Sequence, residues 1–318
     1  MGLPQPGAAA PAGVAETLDG ANPLSWERTA RAVRAWHPDM IVTPAWTFFL
    51  APALARVAAV GGRDGAERCV VVHNAFDHES APWKRALSTR QLAGADRFVT
   101  HNAALAGTLG ARFPDVPVDV FPYPVFEDFP APEGRLPRRA AFELLFFGLV
   151  RPYKGLDQLL EALALSGRDD IRLTVAGEFW DGLKETRARI SALDLDDRVE
   201  LVPRYMSDTE AAEFFHRADA VVMPYRSVTG SGVVANALFY GRAVVASDLP
   251  GFAEVVRHGE TGWLVRPGDP GALADVLRTL DAERARVAGD AARAFGQNLS
   301  WDRFADIVQG CHPAGRPR

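Results

Sequence analysis

Two stretches of this 318-residue chain put anion-gripping groups within reach of a common phosphate. The first, Gly148-Leu149-Val150-Arg151-Pro152-Tyr153-Lys154-Gly155, sets two cations three positions apart, directly after an apolar run and directly before a helical pattern. A guanidinium fork takes two phosphate oxygens at once, and an ammonium adds a mobile point charge, so Arg151 and Lys154 can converge on one anion. The second stretch, Pro224 to Val234, contains Thr229-Gly230-Ser231-Gly232-Val233-Val234. Gly230 and Gly232 let backbone approach a ligand closely, and a helix beginning near Ser231 offers unbonded N–H groups at the positive end of its dipole. Taken singly, each has an ordinary reading, a solvated basic turn or a flexible glycine turn. Two of them in one half of the chain favour a shared diphosphate.

A third stretch, Val70-Val71-Val72-His73-Asn74-Ala75-Phe76-Asp77-His78-Glu79, ends a β-branched run in an imidazole. Such a His can hydrogen-bond a ligand at neutral pH without a standing charge, and it equally fits a His satisfied by backbone at a strand end. The residues alone leave both readings open. His73, His78 and Glu79 lack the helical i, i+4 pairing of zinc hydrolases, so no metal site is expected. Asp194-Leu195-Asp196 reads as a charged turn, and His101, His216 and His258 have no partner at a telling spacing. Trp26, Trp36, Trp46, Phe48 and Phe49 cluster around the first strand and are expected in the core.

These residues need elements to hold them. Ser25 can cap a helix through Trp36, and Met40-Ile41-Val42 starts a strand. Cys69–Val72, Arg97–Thr100 and Val118–Phe121 follow as strands separated by helical stretches, the pattern of a parallel sheet. Residues 122–140, with six prolines and glycines among charges, read as an interdomain linker. Beyond it come strands at Leu144–Gly148, Arg172–Val175, Val199–Val202, Ala220–Met223, Val244–Ala246 and Trp263–Val265. Leucines at helical spacing mark helices at Leu156–Leu163 and Leu273–Leu280. The expected architecture is α/β, two doubly wound parallel-sheet domains of Rossmann type facing a crevice, with ligands beyond the carboxyl ends of the strands. The boundaries read as a loose leader over 1–23, a first domain over 24–124, a linker over 125–140, a second domain over 141–298, and a helix and tail over 299–318.

The order of segments from Leu144 to about Trp301 resembles the nucleotide-binding domain of family 4 glycosyltransferases, which have the GT-B fold. The resemblance rests on Leu145–Gly148 leading into Arg151-Pro152-Tyr153-Lys154-Gly155-Leu156, then Val175-Ala176-Gly177, Arg198–Leu201, Ala218–Tyr225 and Ser231-Gly232-Val233. Gly241–Asp248, Gly251–Val256 and Gly262–Val265 complete it. It implies that Arg151 and Lys154 neutralise the diphosphate of a nucleotide-sugar donor and that the backbone from Thr229 to Val234 holds the same phosphates. By the same resemblance Arg204 edges the nucleobase, Glu254 faces the sugar nucleotide and His73 contacts the donor sugar. The implied activity is a retaining, metal-independent sugar transfer to an acceptor hydroxyl in polysaccharide or glycoconjugate synthesis, with no cofactor besides the donor. The acceptor would be a sugar, a lipid-linked molecule or a small molecule. One departure stands out: Thr229 and Ala237 occupy positions where many members carry Glu, with Asn236 beside the latter.

Composition agrees with a globular chain of two domains: 48% hydrophobic and 24% charged residues exclude a fibre or a disordered tail. Forty acidic against 35 basic residues give a net charge of -5, which offers no overall attraction to nucleic acid or anionic lipid. Two cysteines, Cys69 and Cys311, are too few for a disulfide framework, and no apolar run is long enough to span a bilayer, so a cytoplasmic setting is expected. Family members carry further elements before Asn22-Pro23-Leu24-Ser25-Trp26, so the first domain is expected to be incomplete. The strand at Met40–Val42 should then show an open sheet edge or an exposed apolar surface. The rival expectation is a shortened, non-catalytic relative that binds a nucleotide sugar, and a weaker one is a sugar-nucleotide epimerase of the same fold.

Overall fold

The computed structural model describes residues 15, 17–73, 81–125, 129–228 and 230–310. The chain divides into two compact units, residues 1–121 with 305–318 and residues 122–304. The first unit runs α1 (Pro23–Ala35), β1 (Met40–Ala45), α2 (Ala51–Asp64), β2 (Glu67–Val72), α3 (Pro82–Leu92), β3 (Arg97–Thr100), α4 (Ala103–Arg112) and β4 (Val118–Val120). Its four strands pair in parallel in the order β1-β2-β3-β4. Val70, Val72 and Phe98 pack with Leu92, Leu105 and Leu109 into its core.

Two local expectations are corrected here. The cap of α1 is Asn22, whose side chain accepts from the Leu24 N–H, while the Ser25 hydroxyl turns back to the Asp19 and Asn22 carbonyls. The aromatic cluster is not core: Trp36 is 73% exposed, Trp46 and Phe49 are exposed, and Trp26 and Phe48 are only half-buried. The polar rims of the Trp rings explain part of this, since the Trp26 indole N–H donates to the Asp19 carbonyl. Among the described residues β1 pairs only with β2, and Val42 on it is 46% exposed. Cys69 is fully buried, and burial pushes its thiol up to about 11, so it packs as an apolar group. Cys311, His78 and Glu79 lie outside the described residues.

The second unit runs β5 (Phe142–Phe147), α5 (Leu156–Leu165), β6 (Ile171–Ala176), α6 (Leu183–Ala192), β7 (Val199–Val202), α7 (Asp208–Arg217), β8 (Ala220–Met223), α8 (Gly232–Phe239), β9 (Ala243–Ser247), α9 (Pro250–Ala253), β10 (Gly262–Val265), α10 (Pro270–Thr279) and α11 (Ala282–Gly296). A last helix, α12 (Trp301–Val308), crosses into the first unit, where buried Arg97 donates to the Ile307 and Val308 carbonyls. The six parallel strands lie in the order β10-β9-β8-β5-β6-β7. The first strand of the unit is therefore central, and the winding reverses between β5 and β8. A parallel sheet covered on both faces needs apolar residues at successive positions, which is why Phe142-Glu143-Leu144-Leu145-Phe146 is buried throughout. Glu143 is the exception in type, and the N–H groups of Arg139 and Ala140 satisfy its carboxylate.

No helix among the described residues is long and apolar enough to cross a membrane.

Candidate functional site

The reversal between β5 and β8 is where a doubly wound sheet opens a ligand crevice. Pairing along this chain shows the opening directly. β5 and β6 are in register over six pairs, from Phe142↔Ile171 to Phe147↔Ala176, whereas β5 and β8 pair only at Leu144↔Ala220 and Leu145↔Val221. The two strands part before their carboxyl ends, and the two stretches singled out from sequence follow those ends.

After β5 the chain is stitched to the β6 side through Gly148 N–H to the Ala176 carbonyl and Val150 N–H to the Glu178 carbonyl. It then makes a tight turn over Pro152–Lys154 that ends in Gly155 at φ 69°. A methyl group on Gly155 would lie 2.0 Å from the Pro224 carbonyl oxygen, so a residue without Cβ is required for the β5 loop to touch the β8 loop. Arg226 fastens the same contact. Its N–H donates to the Tyr153 carbonyl at 2.7 Å. Its guanidinium donates to the Pro152 carbonyl at 2.7 Å and to both Asp157 oxygens at 3.0 and 2.6 Å. Burial works to raise the Asp157 carboxyl, but the Arg226 hydrogen bond and charge outweigh it and hold the group below its ordinary value.

Lys154 is the unusual group. It is only 7% exposed, and no hydrogen bond or ion pair joins its ammonium to another described residue. Its Nζ lies 3.3 Å from the point where a Gly148 Cβ would stand, and the Val233 Cγ2 lies 3.5 Å from that same point. The ammonium and the Val233 side chain of α8 thus flank the same glycine, with the Tyr225 ring centred 5.5 Å from the ammonium. Desolvation, helped by the nearby Arg151 charge, lowers Lys154 to about 8, still cationic for the most part at neutral pH. The Arg151 guanidinium lies 4.0 Å over the ring of Trp180, which steers it without neutralising it. At the other wall, α8 starts at Ser231 with no side-chain cap, so its opening N–H groups keep their hydrogen-bonding capacity. Ser231 is buried, and its hydroxyl faces the Met223 sulfur at 4.0 Å. Gly230 is exposed, Gly232 and Val233 are half-buried, and Val234 is buried.

The remaining sequence-predicted residues are distributed as follows. Arg204 follows β7, the outermost strand on that side, is mostly exposed, and is held by Glu210 at 2.6 Å. Glu254 ends α9 after β9, half-buried. Thr229 lies outside the described residues, and Ala237 is fully buried within α8. In the first unit, His73 follows β2 and is not without a histidine partner: its Nδ1 is 3.2 Å from the Nε2 of His101, which corrects the reading that left His101 unassigned. The Nδ1 of His101 is 3.1 Å from the Phe121 carbonyl oxygen. Desolvation, then the neighbouring His101, lowers His73 to about 4, and desolvation lowers His101 against its Phe121 bond. His216 packs against Tyr240, and the His258 ring accepts from the Leu264 N–H. No group of three or more His, Cys, Asp or Glu that could hold a metal stands among the described residues.

Sequence reasoning missed Arg226, Asp157, Trp180 and His101. Parallel register supplies the missing signal for the last: Val72 pairs with Thr100, so the residues that follow them must be neighbours.

The fold and this crevice define a GT-B protein of two Rossmann-like units. Residues 141–282 match the family model Glycosyl transferases group 1. Among curated relatives, the D-inositol 3-phosphate glycosyltransferase of Pseudarthrobacter chlorophenolicus is 36% identical over 175 residues, 52% of this chain and 41% of the relative. The D-inositol 3-phosphate glycosyltransferase 1 of Catenulispora acidiphila is 31% identical over 268 residues, 76% of this chain and 64% of the relative. The chain thus spans from two fifths to under two thirds of the length of these two relatives. Among solved structures, Anabaena HepE in complex with UDP and glucose is similar with a TM-score of 0.71 at 19% identity, over 89% of this chain and 81% of that one. Sucrose-phosphate synthase from Thermosynechococcus elongatus gives 0.70 at 20% identity, over 90% and 77%. At such identities the likeness speaks for the fold.

Proposed function

We propose that the protein is a family 4 glycosyltransferase that moves a sugar from a nucleoside-diphosphate sugar to an acceptor hydroxyl with retention of configuration. The observation that carries this reading is Lys154, a buried ammonium with no carboxylate partner among the described residues, beside an uncapped helix start at the switch point of the sheet. Burying an unpaired cation costs stability, so a fold that keeps one is arranged for an anion that arrives later. A diphosphate fits two cations and a row of N–H groups, and its negative charge grows as the bond to the sugar breaks. Arg151, Lys154 and the amides from Gly230 to Val234 would stabilise that leaving group without a metal ion or cofactor. His73 would orient the sugar, Arg204 would edge the base and Glu254 would face the sugar.

The relatives' name points to inositol 3-phosphate as the first acceptor to try, ahead of sugars and lipid-linked acceptors. Calorimetric titration with UDP-, GDP- and dTDP-sugars followed by a product assay with that acceptor tests the proposal. Binding of one donor class with micromolar affinity and formation of a glycoside are expected. No binding of any nucleotide sugar would overturn the reading, and binding without product on any acceptor would reduce it to a nucleotide-sugar-binding relative.

A further inference from the structure

Three consecutive residues after β8 touch the Lys154 turn. The Pro224 carbonyl stands against Gly155, and Arg226 bonds the Tyr153 and Pro152 carbonyls. Tyr225 lies between them and is 2% exposed. Its ring meets Tyr153 of the turn at 5.9 Å and 88°, and Phe252 of α9 at 5.2 Å and 65°. The Lys154 ammonium lies over this ring, 5.5 Å from its centre.

We propose that Tyr225 is the positioning residue of Lys154: the ring takes the place of a carboxylate partner and holds the ammonium at the crevice as a cation. A buried ammonium with no attractive neighbour sheds its proton, while one paired with a carboxylate keeps no net charge for a diphosphate. An aromatic face lies between these extremes. Its quadrupole attracts a cation, more strongly where water is excluded, and it adds no charge of its own. The phenols meet that condition, since burial pushes both Tyr225 and Tyr153 above their ordinary values and so keeps them neutral. Desolvation and the Arg151 charge work against the Lys154 cation, and the ring works for it. Edge contacts on two sides also fix the ring, so the ammonium over it is in place before a nucleotide arrives.

The chain has three lysines, Lys84, Lys154 and Lys184, so ¹³C-lysine spectra of the full chain follow each ammonium through a pH titration. The signal absent from Lys154→Met is that of Lys154. Tyr225→Phe keeps the ring and should leave the Lys154 midpoint near that of the wild type. Mono-, di- and trifluorophenylalanine at position 225 keep the ring's shape while draining its face of electron density. They should lower the midpoint stepwise, by about one pH unit at the trifluoro ring. A midpoint that stays flat across the series overturns the proposal.

Calorimetry with UDP and GDP gives a second readout. The trifluoro ring should weaken binding of the tighter nucleotide about fivefold at pH 8, where the lowered lysine has lost most of its charge. At pH 6, where the lysine is charged in every variant, the affinities should converge. A loss of equal size at both pH values would mark damaged packing and overturn the positioning role. This rests on the proposal that Lys154 grips a diphosphate. Should neither nucleotide bind the wild type, that reading falls while the lysine titration still decides what the ring does.

Discussion

The crevice of the second unit and the histidine row of the first face the same physical problem and end in opposite charge states. Burial strips water from both Lys154 and His73 and moves each base down, to about 8 from 10.5 and to about 4 from 6.5. Because the starting values differ, the ammonium stays charged at neutral pH and the imidazole does not. One site therefore holds a dry positive charge, suited to a diphosphate, and the other holds a neutral hydrogen-bonding ring, suited to a hydroxyl. Desolvation alone does not say what a site does; the ordinary pKa of the group it acts on decides.

Removing the charge should have the largest effect. Lys154→Ala is expected to lower kcat/KM by about a thousandfold, the scale for losing a group aimed at developing charge. It should leave thermal unfolding unchanged or slightly raised, because a buried cation is removed; unchanged activity would break the contrast between the two sites. Next comes the contact that brings the loops together. Gly155→Ala places a methyl 2.0 Å from the Pro224 oxygen at φ 69° and should cost about 3 kcal/mol in urea unfolding, through strain and overlap. A smaller loss is expected for Arg226→Met, about tenfold in donor affinity with stability within about 1 kcal/mol. An exposed ion pair is worth little by itself, and the effect would come through the Pro152 and Asp157 bonds that hold the Lys154 turn. Donor affinity unchanged in that variant would show that the turn holds its shape without the latch.

The smallest expected effect is in pH-dependent stability, and its sign separates the sites. Lys154 is lowered in the folded chain, so between about 8 and 10.5 the unfolded chain binds the extra proton and stability rises with pH. Lys154→Met, which lacks the buried charge, should be more stable than wild type at pH 7.5, and the gap should narrow toward pH 10 in denaturant titrations. His73 works in another window: the unfolded chain binds the extra proton between about 4 and 6.5, so stability from the neutral pair is present above 6.5 and lost toward pH 4. A gap that widened toward pH 10 would contradict the lowered Lys154.

Much of this was readable from the chain. All ten strands among the described residues fall where β-branched and apolar runs lie, and the basic turn and the glycine turn were visible because both follow such runs. Helix α8 begins where Ser231-Gly232 suggested. What sequence did not reveal are contacts made by topology. Arg226 meets Asp157 across 69 positions and His101 meets His73 across 28, because parallel strands bring their carboxyl ends to one edge whatever their separation in the chain. The aromatic residues near β1 misled for a different reason. Apolar type argues for burial in general, yet Trp36, Trp46 and Phe49 lie on surfaces that no described element covers.

The grip of Lys154 on a diphosphate is tested most directly by proton uptake. UDP or GDP bound beside the ammonium would raise its pKa again, so at pH 8 each nucleotide bound should draw in about half a proton. Calorimetric titrations in buffers of different ionisation enthalpy read this number for wild type and for Lys154→Met. The account predicts uptake in the wild type, and in Lys154→Met no uptake together with at least a hundredfold weaker binding. Equal affinity and equal proton balance in the two proteins would contradict it.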